Sequence, residues 1–393
     1  MKNNCLSTSI TLVLLALALV SCHRDKPLPN IDITSKSIPH DHKIPCFIYY
    51  AEDDVILKEN ARVKWRGGSS CVYPKKSYTF KMDHKISLAC LPEQRSYILN
   101  ANYIDKTMMH HKICFDLFRE MNPTKNLAAR CAYVTVSLNA SYNGLYVLMQ
   151  KLNAGSLGLD KRDSLAMIFK DPPLFRGENR VEPRWVQETG NYFQQVYPDL
   201  EDEDKNGYLE DLMQFMIHAD DSTFANEIGH LFDLDNIIDW HLLLLFTGNG
   251  DGVLKNFYLY KRDSLTPFRL AIWDYDDAFG RDGMGELKTD ACLPDCDRCL
   301  LLHRLSNNPY LHYDALLKDR YKELRDSGIF SKAHVEKMIR ENDETIRNEV
   351  ARNFERWPVD GFGYEDAYRY EDELEVMRNY LNRHIPKMDK EMG

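Results

Sequence analysis

The groups best suited to chemistry in this chain lie between Gly248 and Gly280, in the stretch GNGDGVLKNFYLYKRDSLTPFRLAIWDYDDAFG. Asp251 sits in a glycine-flanked loop, Asn256 follows five residues later, and Asp274, Asp276 and Asp277 crowd the end of an apolar run from Leu270 to Trp273. A loop Asp placed to accept a proton, an Asn amide oxygen within reach of a cation and a carboxylate just past a strand are the parts phosphoryl transfer needs. Mg²⁺ takes a few oxygen ligands from protein and the rest from phosphate and water. The pattern also has an ordinary reading, since Asp, Asn and Gly form turns and acids after a strand cap helices.

A second group lies upstream in WRGGSSCVYPKK, from Trp65 to Lys76. Gly67 and Gly68 let the backbone approach an anion, Ser69 and Ser70 can donate hydrogen bonds, and Arg66, Lys75, Lys76 and Lys81 supply charge. This is neither a Walker loop nor a spaced G-x-G-x-x-G, and a hairpin turn with a solvated basic flank explains the same residues.

The elements that must position these groups are legible from periodicity. Ile44 to Tyr50, Ala61 to Arg66, Lys76 to Met82 and Ser96 to Leu99 read as strands, and Asp105 to Met121 as an amphipathic helix capped by Asp105. His110 and His111 are adjacent on that helix and cannot share a face, so they are expected at the surface or core edge rather than as a metal pair. Strands Ala132 to Leu138 and Leu145 to Lys151 follow, with Asn143-Gly144 as the expected hairpin turn. A short strand, Leu165 to Lys170, leads into a Pro- and Arg-rich loop, Asp171 to Trp185. Helices then dominate: Tyr208 to His218, Ser222 to Leu231, and Leu234 to Thr247, which is apolar nearly all round and hence buried, with Trp240 and His241 in the core. It runs straight into Asn249-Gly250-Asp251. Further helices are expected over Arg298 to Leu305, Tyr310 to Arg325, Ser331 to Phe354 and Glu365 to Ile385. The class is α+β.

At 393 residues with 44% hydrophobic and 28% charged residues the composition is globular, and a net charge of -10 argues against nucleic acid as the main partner. Lys2, an apolar run from Leu12 to Val20 and Leu19-Val20-Ser21-Cys22 resemble a bacterial lipoprotein signal, with Cys22 the lipidated residue. That divides the start of the chain into a signal peptide, 1–21, and a mobile polar tether, 22–43, anchoring the protein to a membrane of the bacterial cell envelope. Eight cysteines follow Cys22, and the trio Cys292, Cys296 and Cys299 lacks the second ligand pair of a structural zinc site, which favours disulfide or buried thiol.

Taken in series, the segments resemble the CotH kinase family of spore-coat-type atypical protein kinases. The resemblance is carried by WRGGSS with PKKSYTFKM, LNANYIDKTMMHHKICFDLFREM, LNASYNGLYVLMQKL, FDLDNIIDWHLL, GNGDGVLKNFYLY and AIWDYDDAFGR, in that order. The five-residue spacing from Asp251 to Asn256 is also that of the catalytic loop of protein kinases. The resemblance covers about Ile44 to Gly280 strongly and the C-terminal helices loosely. It implies an atypical protein-kinase-like two-lobed fold, with an antiparallel sheet-rich N-lobe over 44–155 and a mainly helical C-lobe over 156–393. It also implies ATP and Mg²⁺ or Mn²⁺ in the cleft, and a protein substrate phosphorylated on Ser or Thr. Carried over by position, Asp251 orients or deprotonates the acceptor hydroxyl, Asn256 and Asp274 are metal ligands and Asp276 is a second-shell or second-metal ligand. Lys76 pairs with phosphate with Lys81 as fallback, and Arg66 and Ser69 help hold it. Asn249 stands where common protein kinases have His, and Gln150 where Glu is expected in many relatives. Two other readings use the same acids: a catalytically silent surface lipoprotein binding a glycan, protein or cell-wall partner, and a glycoside hydrolase using Asp251 with Asp274 or Asp276. The latter leaves Asn256 without a role.

Overall fold

The structure, a computed structural model, describes residues 26–172, 175, 194–282, 287–288, 293–359 and 368–393; Cys22 and Cys292 lie outside them. Its N-terminal part is a closed barrel. Strands β1 (Asn30–Thr34), β2 (Ile44–Glu52), β3 (Val55–Arg66), β4 (Ser77–Ile86), β5 (Gln94–Asn100), β7 (Cys131–Leu138) and β8 (Ser141–Gln150) close in the order β1-β2-β3-β4-β5-β8-β7. Alternation explains it: Ala61, Val63, Tyr78, Phe80, Met82, Tyr97 and Leu99 fill the interior while their neighbours along each strand point out.

Closure differs from the expected antiparallel sheet. The seam is a parallel pairing of β1 with β7, and β1 comes from the segment expected to be a tether: Ile31 and Ile33 are fully buried inside the barrel. The β7–β8 turn also differs. It lies at Asn139 and Ala140, both with positive φ (50° and 64°), as a two-residue turn matched to strand twist requires. Asn143-Gly144 falls inside β8 where the register shifts, and a Cβ on Gly144 would come within 2.9 Å of Asn353 and 3.2 Å of the Lys75 side chain. That glycine marks a close approach between the barrel and a C-terminal helix.

On β5 and β8 the outward residues Ile98, Leu145, Val147 and Met149 are apolar too, and pack into a second, larger core with helix α1 (His110–Met121). The same core runs through the helices of the C-terminal part: α2 (Asn206–His218), α3 (Asp221–Leu231), α4 (Leu234–Thr247), α5 (Leu300–Ser306), α6 (Tyr313–Asp326), α7 (Lys332–Arg356) and α8 (Tyr370–Met392). Between them lies a small sheet in the order β10-β9-β11-β12-β6, formed by β6 (Leu127–Ala128), β9 (Met167–Lys170), β10 (Gln194–Tyr197), β11 (Phe257–Lys261) and β12 (Arg269–Ile272). The protein is thus α+β, sheet-rich first and helical later. Helix α4 is buried on all sides, with Trp240 and His241 in the core as its composition requires. The seven described cysteines are free thiols, with Cys296 and Cys299 buried.

Helix α1 starts at His110, one turn later than expected, yet Asp105 still sets its start. Its Oδ1 accepts the backbone N–H of Thr107 and Met108 (both 3.0 Å), the Thr107 hydroxyl (2.7 Å) and bonds His110 Nδ1 (2.8 Å). Its Oδ2 accepts the His110 N–H and the Asn102 amide (both 3.2 Å). Burial alone would push this carboxyl up, but the charge and hydrogen bond of His110 and the Thr107 hydroxyl outweigh it and hold it well below the usual carboxylate range. With its folded pKa depressed, Asp105 stabilises the fold above the pKa of an unfolded Asp and loses that contribution as pH falls toward the folded value. Asp105→Ala, which strands His110 in the core, is expected to cost about 3–5 kcal/mol in denaturant unfolding. Asp105→Asn should cost less and flatten the loss of stability as pH falls below about 4.

Candidate active site

The loop carrying Asp251 is fixed before its side chain is considered. Helix α4 ends in Gly248 in the left-handed region (φ 72°), a position with no room for a side chain because a Cβ would lie 2.5 Å from the Tyr380 hydroxyl. Fully buried Asn249 accepts the Gly252 N–H at 2.7 Å and folds the chain into the 3₁₀ turn Asp251–Val253. Seven residues after Asn249, the loop is pinned a second time by Asp171, whose Oδ1 accepts the N–H of Asn256 (2.7 Å) and of Phe257 (3.2 Å). Lys170 holds the other oxygen of Asp171 at 2.8 Å. Asn256 itself has positive φ, 66°, a conformation that Asn tolerates better than most residues.

The β11–β12 hairpin then brings the second set of acids alongside. Trp273 N–H bonds the Asn256 carbonyl (2.9 Å), Phe279 N–H the Thr247 carbonyl (2.9 Å), and the Asp277 carboxylate accepts the Asp251 N–H (2.9 Å). Lys288 bridges Asp277 and the Gly248 carbonyl. Asp277 is therefore the acid that ties the two loops together, and Asp274 and Asp276 are the ones left facing out of them.

Within this frame Asp251 Oδ2 accepts the Asn256 amide at 2.6 Å and Oδ1 pairs with Lys255 at 2.9 Å. Asn256 thus orients Asp251 through Nδ2, which leaves its Oδ1 as the atom able to meet a cation. Asp274, at φ 55° and half exposed (53%), takes a hydrogen bond from His111 Nε2 at 3.0 Å. One ligand atom each from His111, Asp274 and Asp276 lie within 4.8 Å of one another, a donor set able to hold a metal ion. The two carboxylates repel. Desolvation and then the charge of Asp274 push Asp276 up to about 7. Desolvation acts on Asp274 too, but the hydrogen bond and charge of His111, then Arg66 and Lys170, outweigh it and hold that carboxyl at about 2. An acid pair that retains a proton near neutrality is one that a divalent cation neutralises.

His111 is a site residue that periodicity places at the surface or core edge; it is 4% exposed, and His110 3%. The adjacent histidines do point apart, His110 to Asp105 and His111 to Asp274, but α1 is apolar on both of those faces, with Cys114, Leu117 and Met121 beside Phe115 and Phe118. Both rings are buried as a result. A helix with two apolar stripes each headed by His is the signal that was available.

The basic residues distribute differently. The Arg66 guanidinium lies 5.4 Å from the centroid of the Trp273 ring, next to Asp274. Lys76 donates to the carbonyls of Cys71 (2.7 Å) and Tyr73 (2.6 Å), so its charge braces the glycine turn. Lys75 is 1% exposed and bonds the carbonyls of Ala101 and Leu145. Lys81 is exposed on β4. Ser69 begins the 3₁₀ turn Ser69–Val72, and its side chain lies outside the described residues.

Asp171→Ala removes the acceptor of two buried amides, at about 1–3 kcal/mol each at most. The expected result is a total loss of about 2–4 kcal/mol, with hydrogen exchange accelerated at Asn256 and Phe257 above the global change. Asp171→Asn, which keeps an acceptor oxygen, should restore most of that protection.

A family model described as CotH kinase protein matches residues 63–385. Inner spore coat protein H of Bacillus subtilis (strain 168) is 26% identical over 227 residues, 57% of this chain and 60% of that protein. The aligned region thus spans less than two thirds of the relative's length. The matched span holds the last third of β3, the glycine turn, α1, both acidic loops and most of α8, so this chain belongs to the CotH kinase protein family.

Proposed function

We propose that this chain is a divalent-metal-dependent phosphotransferase, a kinase-like enzyme that moves the γ-phosphoryl group of ATP to a Ser or Thr hydroxyl of a protein. The observation that carries the reading is the juxtaposition of two backbone-pinned loops, one presenting Asp251 with Asn256, the other Asp274 and Asp276 beside His111. In this reading Asp274, Asp276 and His111 hold the ion, with Asn256 Oδ1 on the neighbouring loop as a further oxygen donor. A bound Mg²⁺ or Mn²⁺ supplies the charge that offsets the phosphate oxygens.

The chain's own groups supply positioning and proton transfer. Asp251, held by Asn256 and by its own backbone bond to Asp277, faces the acceptor hydroxyl and takes its proton as the new O–P bond forms and the bond to the ADP oxygen breaks. Arg66, which has a ring contact and no carboxylate partner among the described residues, is placed to hold phosphate beside Asp274. Lys255 pairs with the other oxygen of Asp251 and helps fix the carboxylate's orientation. The N-terminal apolar run with Ser21-Cys22 supports attachment of this activity to a bacterial envelope membrane by a lipid on Cys22.

Incubation with γ-labelled ATP, Mn²⁺ or Mg²⁺ and a mixed protein acceptor, including the chain itself, is expected to give acid-stable phosphoserine or phosphothreonine. Asp251→Asn and Asp274→Asn should each lower the rate by about 10²-fold or more. Label equal in wild type and both variants, or none from a folded wild-type protein, would sink the proposal.

The imidazole in the donor set makes a separate prediction, because ring nitrogen suits transition ions better than Mg²⁺. His111→Gln should weaken Mn²⁺ binding, read by the free-ion electron paramagnetic resonance signal, by about ten-fold or more while changing Mg²⁺ binding less. Equal Mn²⁺ affinity in the variant would show that His111 only orients Asp274.

A further inference from the structure

The chain carries a net charge of -10, yet one face of its barrel is built from cations. Residues opposite each other across antiparallel strands share a face. Register therefore places Lys64 opposite Thr79 and Thr79 opposite Ile98, with Lys43, one residue before β2, opposite Lys64 by continuation. In the adjacent row Arg62 faces Lys81, Lys81 faces Ser96, and Lys151 continues that row one residue past β8. Arg66, opposite Ser77, begins a third row and reaches Trp273 at the edge of the acidic site. Ala61, Val63, Tyr78 and Phe80 point into the barrel, so these six cations point out.

Acids act on them only at the edges of the face, Asp274 near Arg66 and Asp199 near Lys151. Arg62 and Lys64 reach only the carbonyls of Lys43 and Asp41, at 3.3 and 3.4 Å, and among the described residues no ion pair joins any of the six to a carboxylate. Burial and then repulsion from Arg66, Lys81 and Lys64 lower the pKa of Lys151, and burial with Lys151, Lys81, Lys64 and Arg62 does the same to Lys43. Beyond Lys81 the face opens into a cavity of ≈ 990 Å³ whose walls carry Lys85, Arg95, Arg119, Arg130 and Lys161 with Glu93, Asp116 and Glu120 among them. Like charges held together in this way cost stability that an anionic partner restores.

We propose that this barrel face docks an extended acidic stretch of polypeptide, with carboxylates on alternate residues lying along Arg62 and Lys64 and ending short of Arg66, the residue given to phosphate. Two residues of strand advance about 6.6–6.8 Å, so Arg62 and Lys64 repeat at the interval at which an extended peptide presents side chains to one side. Lys43 and Lys81 flank them on the neighbouring strands, about 4.8 Å away. Arginine forks match carboxylates with two parallel hydrogen bonds. Between the cations lie Ser77 and Thr79, buried and bonded to Asn100 and the Tyr97 carbonyl, and half-buried Ser96, not the ring platforms on which single-stranded nucleic acids stack their bases. Charge and register alone carry this proposal, which stands whether or not the acidic site transfers phosphate.

The test is fluorescence anisotropy of a labelled peptide of alternating Glu and Ser with the full chain, at low and at physiological salt. Saturable binding is expected, absent with a Lys-Ser peptide and weakened about ten-fold or more by Arg62→Glu combined with Lys64→Glu, and also by salt. Should the double reversal fail to fold, the single neutralisations Arg62→Gln, Lys64→Gln and Lys81→Gln should each weaken binding about three-fold with an unchanged melting temperature. No saturable binding by the wild-type protein, unchanged affinity in the folded variants, or tighter binding of an oligothymidylate of equal charge would each overturn it.

Discussion

Two carboxylates that leave one strand end side by side repel each other, and a chain keeps them there only if the surrounding structure forbids relaxation. Asp274 and Asp276 are in that position, and the neighbouring hydrogen bonds account for their persistence. The third acid of the group, Asp277, is taken out of the conflict by Lys288 and by the Asp251 amide. Trp273 and Phe279, on either side, are tied by main-chain bonds to Asn256 and Thr247. His111 arrives from α1, whose start is held by Asp105, and lowers the cost of ionising Asp274. Three buried or near-buried aspartates, 105, 171 and 277, thus use their oxygens on backbone amides so that 251, 274 and 276 remain available for chemistry.

Much of this was legible in the residues. Alternation in β3 and β4, the all-round apolar character of α4 and the acids after β12 placed Asp251 and Asp274 on loops leaving buried elements, where the structure has them. Other features depend on contacts that local pattern does not carry. The β1 segment has the alternating sequence NIDIT, but it lies among polar residues and prolines, and it is held as a strand between β2 and β7, the latter about a hundred residues away. The Asn143-Gly144 pair signals a turn locally, while the glycine is used to admit Lys75 and Asn353. Sequence shows that Lys76 is charged, not that two carbonyls of its own turn receive the ammonium. His111 was hidden because α1 is buried on two faces rather than one.

Charge is divided in a way the net value conceals. Acids gather where β12 and α4 deliver their loops, and cations gather on the outer rows of β3 and β4, with Arg66 at the boundary between them. A donor set able to hold a cation thus lies next to a cationic surface, the division of charge that the proposed phosphoryl transfer would use.

The most direct test of the account is a melting-temperature titration with ATP and Mn²⁺, separately and together. Binding to the folded state raises stability by mass action. The account predicts a small rise with Mn²⁺ alone, a larger, saturable rise with both ligands, and loss of both effects in Asp274→Asn. A folded protein whose melting temperature is indifferent to ATP in the presence of Mn²⁺ or Mg²⁺ would contradict it.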